Sequence, residues 1–415
     1  MVYQPPIGAR DLLPLDVAQK RWIENRLQQV FQGWGYHRII TSTLERLDTL
    51  MAGGAIQRST VIQLQDAEDE VLGLRPELTA SIARAAVTRM AGATLPQRLY
   101  YNANIFRRAQ VGGHNRQQEF YQAGVELLGS DGLVADAEIL LLLAACLQGL
   151  GLNHWHLVLG EAGLTRSLLS PFPDALQAPI RSAIAHLDRI TLENLPLSPE
   201  LRDRALFLLD LRGKPEDVLQ RVSRLDLDPS QRSAVNHLKS LIELLQETLA
   251  ASPQPPATDS PFILDLSLIQ TFDYYTGIVF EVASAGEVGG CVLGQGGRYD
   301  QLLGLYHPQG ETYPGIGFSL NIESLHQVLL PTQQLPDRSA ASDWLVVPTT
   351  PQACAAAFAY AQTLRSSTEL VRVEVDLGGR ETPEAIRGYA RQRRIPQIAW
   401  IQADGSHEVE SVTLA

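Results

Sequence analysis

Residues Phe106 to Gly129 read FRRAQVGGHNRQQEFYQAGVELLG, and this stretch decides the fold. A glycine-containing polar connection between two strand-like runs is typical of an antiparallel hairpin. In the second run Gln122, Gly124 and Glu126 alternate with other residues, so we expect these three to share one face of a sheet. The stretch therefore predicts an antiparallel sheet that presents polar groups on one face.

Strand-like runs, including those of this hairpin, lie in an early and a later part of the chain. They cover Tyr36 to Thr43, Val71 to Leu74, Arg98 to Ile105, Glu119 to Leu127, Phe262 to Leu266, Gly277 to Ala283 and Gly315 to Leu320. From Thr165 to Ala250, leucine and alanine recur at three- and four-residue intervals, which indicates helices. We therefore predict a discontinuous core of residues 1–164 and 262–330, interrupted by a helical insertion over residues 165–250.

The last part of the chain has a different pattern. Two proline-containing stretches that are poor in apolar residues, 251–261 and 331–343, are predicted linkers. After the second linker, strands and helices alternate at Trp344 to Pro348, Gln352 to Arg365, Val371 to Leu377, Thr382 to Arg391 and Ile395 to Ile401. This alternation predicts a small α/β domain with parallel strands over residues 344–415.

Composition excludes several classes of protein. The 415 residues are 45% hydrophobic and 19% charged, as in a globular chain of two or three domains. The net charge of −12 argues against broad electrostatic binding of nucleic acid. The longest apolar run, Ile139 to Leu147, is far shorter than the ~20 residues that span a bilayer. The three cysteines are too far apart for a disulfide framework, so we expect a cytoplasmic protein in a reducing compartment.

The motifs of common cofactor sites are absent from the sequence. No GxxxxGK[ST] or GxGxxG stretch is present to cradle phosphates, and no HExxH pair is present to bind zinc. We therefore expect neither a cofactor nor a metal.

Polar residues instead cluster in four segments. Besides the hairpin, these are Leu74 to Arg84 (LRPELTASIAR), Leu268 to Glu281 (LIQTFDYYTGIVFE) and Gly294 to Asp300 (GQGGRYD). Each segment alone is compatible with solvated strand ends or with core tyrosines. The order of the four segments along the chain, taken together, indicates the function better than any single segment does.

Together these segments resemble the histidyl-tRNA synthetases and their paralogues among class II aminoacyl-tRNA synthetases. The resemblance extends from GARDLLP at Gly8 to Pro14, through motif 1 at Gly35 to Glu45, to the insertion and the C-terminal domain. It implies an α+β fold with a six-stranded antiparallel sheet flanked by helices. It also implies that residues 344–415 correspond to the family's anticodon-binding domain.

The resemblance further implies a histidine pocket. Glu77, Thr79 and Gln122 would bind the α-ammonium group, and Arg107 would lie near the carboxylate. Glu126 and two tyrosines would surround the imidazole, because charge-assisted hydrogen bonds suit that ring. The residues that match the family's pocket are Glu77, Thr79, Arg107, Gln122, Glu126, Tyr274 and Tyr275.

The positions that handle ATP in the family are altered. The carboxylate of the family's FRxE motif is replaced by Ala109, the arginine before DYY by Gln270, and the arginine of motif 3 by Ser324. Removing one preorganised charge from such a transition state costs on the order of 3 kcal/mol. We therefore expect histidine binding without ATP activation, and no catalytic residues. Motif 1 also has Ser42 where the family usually has proline.

A non-catalytic branch of the family fits this combination best. That resemblance implies a partner, the short catalytic subunit of ATP phosphoribosyltransferase, which performs the first step of histidine biosynthesis. The chain would activate that subunit and report histidine to it, within an expected hetero-octamer and as a homodimer through its core. We expect no membrane or nucleic-acid partner. The alternatives are an active histidyl-tRNA synthetase and a paralogue that modifies another acceptor.

Overall fold

The computed structural model describes residues 3–54, 56–109, 116–252, 261–268, 274–284, 290–380 and 382–414. The chain divides into two compact units, Met1–Leu335 and Pro336–Ala415. The division falls within the predicted linker 331–343. Most of the other predicted linker, residues 253–260, lies outside the described residues.

The first unit contains twelve described strands and twelve described α-helices. The strands are β1 (His37–Arg38), β2 (Leu44–Arg46), β3 (Gln63–Gln65), β4 (Val71–Leu74), β5 (Gln97–Phe106), β6 (Glu119–Leu128), β7 (Trp155–Glu161), β8 (Arg212–Gly213), β9 (Phe262–Asp265), β10 (Ile278–Ser284), β11 (Val292–Arg298) and β12 (Gly315–Asn321). The helices are α1 (Pro14–Gly33), α2 (Leu47–Met51), α3 (Thr79–Thr88), α4 (Leu133–Gly149), α5 (Ala162–Leu169), α6 (Asp174–Ala185), α7 (Arg189–Asn194), α8 (Pro199–Leu209), α9 (Pro215–Val222), α10 (Pro229–Ala250), α11 (Leu302–Tyr306) and α12 (Ile322–Leu329).

A large sheet organises this unit, in the order β1-β5-β6-β12-β11-β10-β7-β9-β8. The strands from β5 to β7 in that order pair antiparallel throughout. The six-stranded antiparallel sheet that the family resemblance implies is therefore confirmed. It is extended at its edges by β1 and β9, which pair parallel with their neighbours, and by β8, which is antiparallel to β9.

The register of β6 fixes the polar face of the sheet. Gln122, Gly124 and Glu126 stand opposite Asn321, Ser319 and Gly317 of β12. Because successive residues of a strand point to opposite faces, these six positions lie on one face, as the alternation predicts.

The opposite face of the sheet is covered by helices. Helix α4 packs against α1, α10 and β12, and its residues Ile139 to Leu147 are almost all buried. A helix that is apolar on every side requires such surroundings. The insertion helices α5 to α10 share the same core cluster with this face. Within the described residues, no helix is long and apolar enough to cross a membrane.

The predicted strand over residues 36–43 is wrong in extent. Strand β1 covers only His37–Arg38, and the next strand, β2, belongs to a separate sheet of order β2-β4-β3. The guanidinium of Arg75 donates hydrogen bonds to the carbonyl oxygens of Thr41 and Ser42, at 2.9 and 3.2 Å. The Arg75 side chain thus provides hydrogen bonds to two carbonyl groups that would otherwise pair with a neighbouring strand.

Strand β11 is absent from the predicted strands because glycines dominate it. Close packing requires them. A Cβ at Gly296 would lie 2.3 Å from the carbonyl oxygen of Gly317, and one at Gly297 would lie 2.6 Å from the ring of Tyr275. The glycine-rich segment is therefore a central strand whose neighbours leave no room for side chains.

The strands of the second unit are β13 (Trp344–Pro348), β14 (Val373–Val375), β15 (Gln397–Ile401) and β16 (His407–Ser411). They form a separate four-stranded sheet of order β14-β13-β15-β16. Strand β13 pairs parallel with β14 and β15, as predicted, and β16 adds an antiparallel edge that was not predicted. Its helices are α13 (Cys354–Arg365) and α14 (Pro383–Arg393). This small α/β unit completes the predicted fold class.

Candidate functional site

A cleft opens on the polar face of the large sheet, between β6, β11, β12 and the start of α3. Its lining residues are Glu77, Leu78, Thr79, Tyr101, Arg107, Gln122, Tyr274, Tyr275, Gln295, Tyr299, Gly317, Phe318 and Ser319. Six of the seven residues predicted for the histidine pocket are among them. Segments that are far apart in sequence therefore meet here, and we call this site the central cleft.

The N-terminus of helix α3 shapes one end of the central cleft. The carboxylate of Glu77 accepts hydrogen bonds from the backbone N–H groups of Thr79, at 2.6 Å, and Ala80, at 2.9 Å. These donors would otherwise be unpaired in the first turn of the helix. Burial raises the pKa of Glu77 above its ordinary value, and the two hydrogen bonds oppose that rise. The carboxylate is thereby held rigidly at the cleft.

Glu126, the seventh predicted residue, lies beside the central cleft rather than in its lining. It is 1% exposed, and a Cβ on the lining residue Gly317 would lie only 2.0 Å from its Oε2. The hydroxyl of Thr79 donates to its Oε1 at 2.8 Å, and the hydroxyl of Tyr299 donates to its Oε2. Burial raises the pKa of Glu126 to about 8, so this carboxyl group holds a proton at neutral pH.

Three tyrosines form an aromatic wall. The ring centroids of Tyr274 and Tyr275 are 4.9 Å apart, and those of Tyr274 and Tyr299 are 5.9 Å apart, both in edge-to-face arrangements. Burial raises the pKa of each of the three hydroxyl groups, so they remain protonated. The wall is therefore uncharged and offers polar hydroxyls at defined positions.

Arg107 supplies the positive charge of the central cleft. Its Nε donates a hydrogen bond to the carbonyl oxygen of Pro76 at 3.0 Å. Burial lowers the pKa of Arg107, and the neighbouring charge of Glu77 opposes this shift. An arginine nevertheless stays protonated in proteins. One fixed carboxylate and one fixed guanidinium thus face the same space, an arrangement that suits a zwitterion.

Sequence reasoning missed five polar or space-defining residues of the central cleft, which are Tyr101, Gln295, Tyr299, Gly317 and Ser319. The strand register contains the signal for some of them. Tyr101 stands opposite Gly124, and a Cβ on that glycine would lie 2.5 Å from the tyrosine hydroxyl. A glycine in the polar row of β6 therefore indicates a large neighbour across the strand pair.

Two of the three positions at which the family's ATP-handling residues are replaced lie in the described part of the chain, and both residues, Ala109 and Ser324, are uncharged. Ser324 lies in the first turn of α12, where its N–H donates to Asn321 Oδ1 at 2.9 Å. The neighbouring Glu323 accepts hydrogen bonds from the backbone N–H of Tyr121, at 3.1 and 3.2 Å. Ala109 follows the end of β5, whereas Gln270 lies outside the described residues. Among the described residues, no cluster of histidine, cysteine and acidic side chains could hold a metal ion.

Comparisons with known proteins identify the family of the chain. The sequence profile of the family described as histidyl-tRNA synthetase matches residues 8–325. The chain is 70% identical to the ATP phosphoribosyltransferase regulatory subunit of Nostoc punctiforme, over 99% of this chain and 100% of that protein. It is 63% identical to the protein of the same name from a Cyanothece species, again over 99% of this chain and 100% of the relative.

Solved structures share the architecture. A protein from Bacillus halodurans, described as an ATP phosphoribosyltransferase regulatory subunit/histidyl-tRNA synthetase, superposes with a TM-score of 0.78 and 26% identity, covering 97% of this chain and 99% of that one. Histidyl-tRNA synthetase from a Nostoc species has a TM-score of 0.75 at 20% identity, over 99% and 97% of the two chains, which shows the common class II fold. The chain therefore belongs to the family of ATP phosphoribosyltransferase regulatory subunits, which share the fold of histidyl-tRNA synthetase.

Proposed function

We propose that this chain is a non-catalytic subunit that binds free histidine in the central cleft and activates the short catalytic subunit of ATP phosphoribosyltransferase. One observation carries the proposal: a cleft equipped for a zwitterionic amino acid coexists with uncharged residues, Ala109 and Ser324, at positions that handle ATP in the synthetases. Such a site can bind an amino acid without activating it. Its occupancy then becomes a signal for another protein.

The imidazole end of histidine fits Glu126 chemically. Imidazole is the side chain that titrates closest to neutral pH, and the raised pKa of Glu126, about 8, brings the carboxyl group into the same range. The proton on Glu126 can therefore pass to the ring and leave a carboxylate–imidazolium pair. Thr79 and Tyr299 already orient the carboxyl group through hydrogen bonds. An amino acid without a basic ring could not take up this proton and form such an ion pair.

The α-amino acid end fits Glu77 and Arg107. A carboxylate at the start of α3 suits the ligand's ammonium group, with Thr79 and Gln122 as further polar neighbours. The guanidinium suits the ligand's carboxylate. Both contacts are charge-assisted, and hydrogen bonds of this kind contribute about 1.5–3 kcal/mol each. Together they favour a free amino acid over a peptide or a bare imidazole.

The absence of catalysis forms part of this proposal. Ala109, Gln270 and Ser324 stand where the synthetases have charged residues. Each replacement removes a charge that would stabilise the adenylation transition state. The retained alternative, an active histidyl-tRNA synthetase, is favoured only by the family profile and the shared fold. Histidine-dependent exchange of pyrophosphate with ATP separates the two functions.

The proposed partner can be tested directly. A short ATP phosphoribosyltransferase subunit from the same cell should co-purify with this chain, and its catalytic rate should depend on the chain. A catalytic subunit that is fully active alone and forms no complex would contradict the proposal. The expected stoichiometry is a hetero-octamer, which sedimentation of the purified complex measures.

We also propose a homodimer through the core, supported by exposed apolar residues near the motif 1 region. Leu44 of β2 and Leu64 of β3 are 45% and 44% exposed, and Ile40 is 78% exposed. Exposed apolar patches mark interfaces more often than singly exposed apolar side chains do. Analytical ultracentrifugation of the wild type and of Leu64→Glu tests this assignment, because a buried charge should dissociate the dimer.

A cytoplasmic location completes the proposal. The three cysteines, Cys146, Cys291 and Cys354, are free. Free thiols suit a reducing compartment. Cell fractionation with an antibody against the chain tests the location.

A further inference from the structure

One contact between the helical insertion and the core is made by a histidine. His237 lies on α10, and its Nε2 is 2.7 Å from Oδ2 of Asp136 in the first turn of α4. Asp136 is 1% exposed. Its other oxygen, Oδ1, accepts hydrogen bonds from Nε and Nη2 of Arg298, at 2.9 and 2.5 Å. One buried carboxylate therefore joins an imidazole of the insertion to a guanidinium of the sheet.

Arg298 is the last residue of β11 and stands directly before Tyr299 of the central cleft. It is 5% exposed, and its Nη1 also contacts Oδ1 of Asp300 at 3.1 Å. Its backbone carbonyl oxygen accepts a hydrogen bond from the N–H of Thr276 at 2.7 Å, next to Tyr275. Arg298 therefore lies beside both segments that carry cleft tyrosines: its backbone carbonyl accepts the hydrogen bond from Thr276, and its side chain is held by Asp136 and Asp300 next to Tyr299.

The insertion touches the same tyrosine segment a second time. Nη1 of Arg166, on α5, donates to the carbonyl oxygen of Tyr275 at 2.8 Å. Two insertion helices are therefore connected to the aromatic wall of the cleft. Helix α5 contacts the backbone of Tyr275 directly, and α10 is connected through Asp136 to Arg298, the residue before Tyr299. Neither contact involves the ligand-facing atoms, so both act on the placement of the tyrosines.

The simplest structural explanation is that His237 only fastens α10 to α4. That explanation accounts for the contact between His237 and Asp136. It does not account for the choice of a carboxylate that also binds the buried Arg298. A buried arginine needs carboxylate partners, and Asp136 and Asp300 supply them to Arg298 without His237. The imidazole of His237 makes a further contact with the carboxylate of Asp136, and 32% of the histidine side chain is exposed. It brings the insertion into a network that ends at Tyr299 and Glu126.

We propose that His237 is a positioning residue for the central cleft, which acts through Asp136 and Arg298 to hold Tyr299 against Glu126, so that the helical insertion sets the affinity for histidine. This inference rests on the proposed function, since it concerns the same ligand. It assigns to the insertion a part in ligand binding, although no insertion residue lines the cleft among the described residues.

Two substitutions separate positioning from fastening. His237→Gln keeps a side-chain N–H donor that can reach Asp136, whereas His237→Phe keeps the ring and removes the donor. His186→Phe is the matched control, because His186 is an exposed insertion histidine whose ring contacts only Ser182 of its own helix among the contacts described. Calorimetric titration with histidine and urea denaturation are measured for all four proteins.

We expect His237→Phe to raise the Kd for histidine about fivefold, the lower range of coupling between connected sites. His237→Gln should stay within about twofold of the wild type, since it retains the donor. The control should match the wild type. If His237→Phe does not fold, His237→Asn, whose shorter side chain cannot reach Asp136, replaces it with the same expected loss.

Two results would overturn the inference, and they are distinguishable. A wild-type protein that binds histidine, together with a donor-less variant of equal affinity and lower stability, would reduce His237 to a structural fastening. A wild-type protein that gives no heat with histidine would instead remove the ligand itself, and the proposed function would fail together with this inference.

Discussion

The hydroxyl of Thr79 lies 2.8 Å from Oε1 of Glu126, which joins the N-terminus of α3 to the centre of β6. Tyr299 donates to the other oxygen of the same carboxyl group. Thr79 begins α3 and Tyr299 directly follows β11, so both donors are held in place and the carboxyl group is oriented before any ligand arrives. Preorganisation of this kind lowers the cost of binding. It makes Glu126 the residue whose replacement should matter most.

Replacing Glu126 with alanine should weaken histidine binding by roughly 10- to 150-fold, the loss of one charge-assisted hydrogen bond. Calorimetric titration measures this change. Glu119→Ala is the matched control, because Glu119 lies on the same strand but its carboxylate contacts Asn104, outside the lining of the central cleft. Equal affinities of wild type and Glu126→Ala would place the ligand elsewhere.

The stability of the protein should depend on pH through the same residue. Burial raises the pKa of Glu126 from 4.5 to about 8, so the folded state retains a proton that the unfolded state loses. The stabilising contribution is complete below pH 4.5 and is lost as the pH rises towards 8. In that interval the wild type should lose roughly 1.4 kcal/mol per pH unit relative to Glu126→Gln. Urea denaturation at pH 5, 6.5 and 8 should show this divergence; parallel curves would contradict the pKa.

Gly317→Ala should disrupt the cleft without removing a polar group. The new methyl group would lie 2.0 Å from Glu126 Oε2 and 2.3 Å from the carbonyl oxygen of Val125. The paired backbone of β6 and β12 cannot move apart, so the carboxyl group must leave Thr79 and Tyr299. We expect a loss of stability of about 1–3 kcal/mol and histidine binding at least about tenfold weaker.

Gly33→Ala is the control for this substitution, because a Cβ at Gly33 would meet nothing within 4 Å. It should leave histidine binding unchanged. If Gly317→Ala bound histidine as tightly as the wild type, Glu126 would not contribute to the site.

Adenylation activity should be at background. Histidine-dependent exchange of radiolabelled pyrophosphate into ATP measures it, with an active histidyl-tRNA synthetase as the positive control. Ala109, Gln270 and Ser324 are the physical basis, since none supplies the charge that its family position provides. A robust exchange rate would show that the remaining residues suffice for activation.

Much of the site could be predicted from sequence because its residues fall at places where polar groups are unexpected. Gln122 and Glu126 interrupt a strand whose other residues are largely apolar, and alternation alone puts them on one face. The roles of Glu77 and Arg107 came from the family resemblance rather than from spacing. The structure adds that Glu126 stands behind Gly317, beside the lining of the cleft.

The rest depends on contacts between segments that are distant in sequence. Nothing near Tyr36 indicates that Arg75 would bind the backbone at Thr41 and Ser42 and end the strand after two residues. Nothing in the glycines of β11 indicates a central strand until Gly317 and Tyr275 are placed beside them. Likewise, His237 gains a role only when α10 is packed on α4. Local patterns predict elements, whereas packing decides their extent.

The central claim is that histidine in this cleft regulates another protein, and steady-state assays of the reconstituted complex test it most directly. The isolated short catalytic subunit should be poorly active, and the complex should be active and inhibited by histidine. With Glu126→Ala the complex should stay active and resist histidine, because docking suffices for activation whereas inhibition needs a ligand that favours one state. Unchanged histidine inhibition in a complex whose variant chain fails to bind histidine by calorimetry would contradict the account and move the sensor to the catalytic subunit.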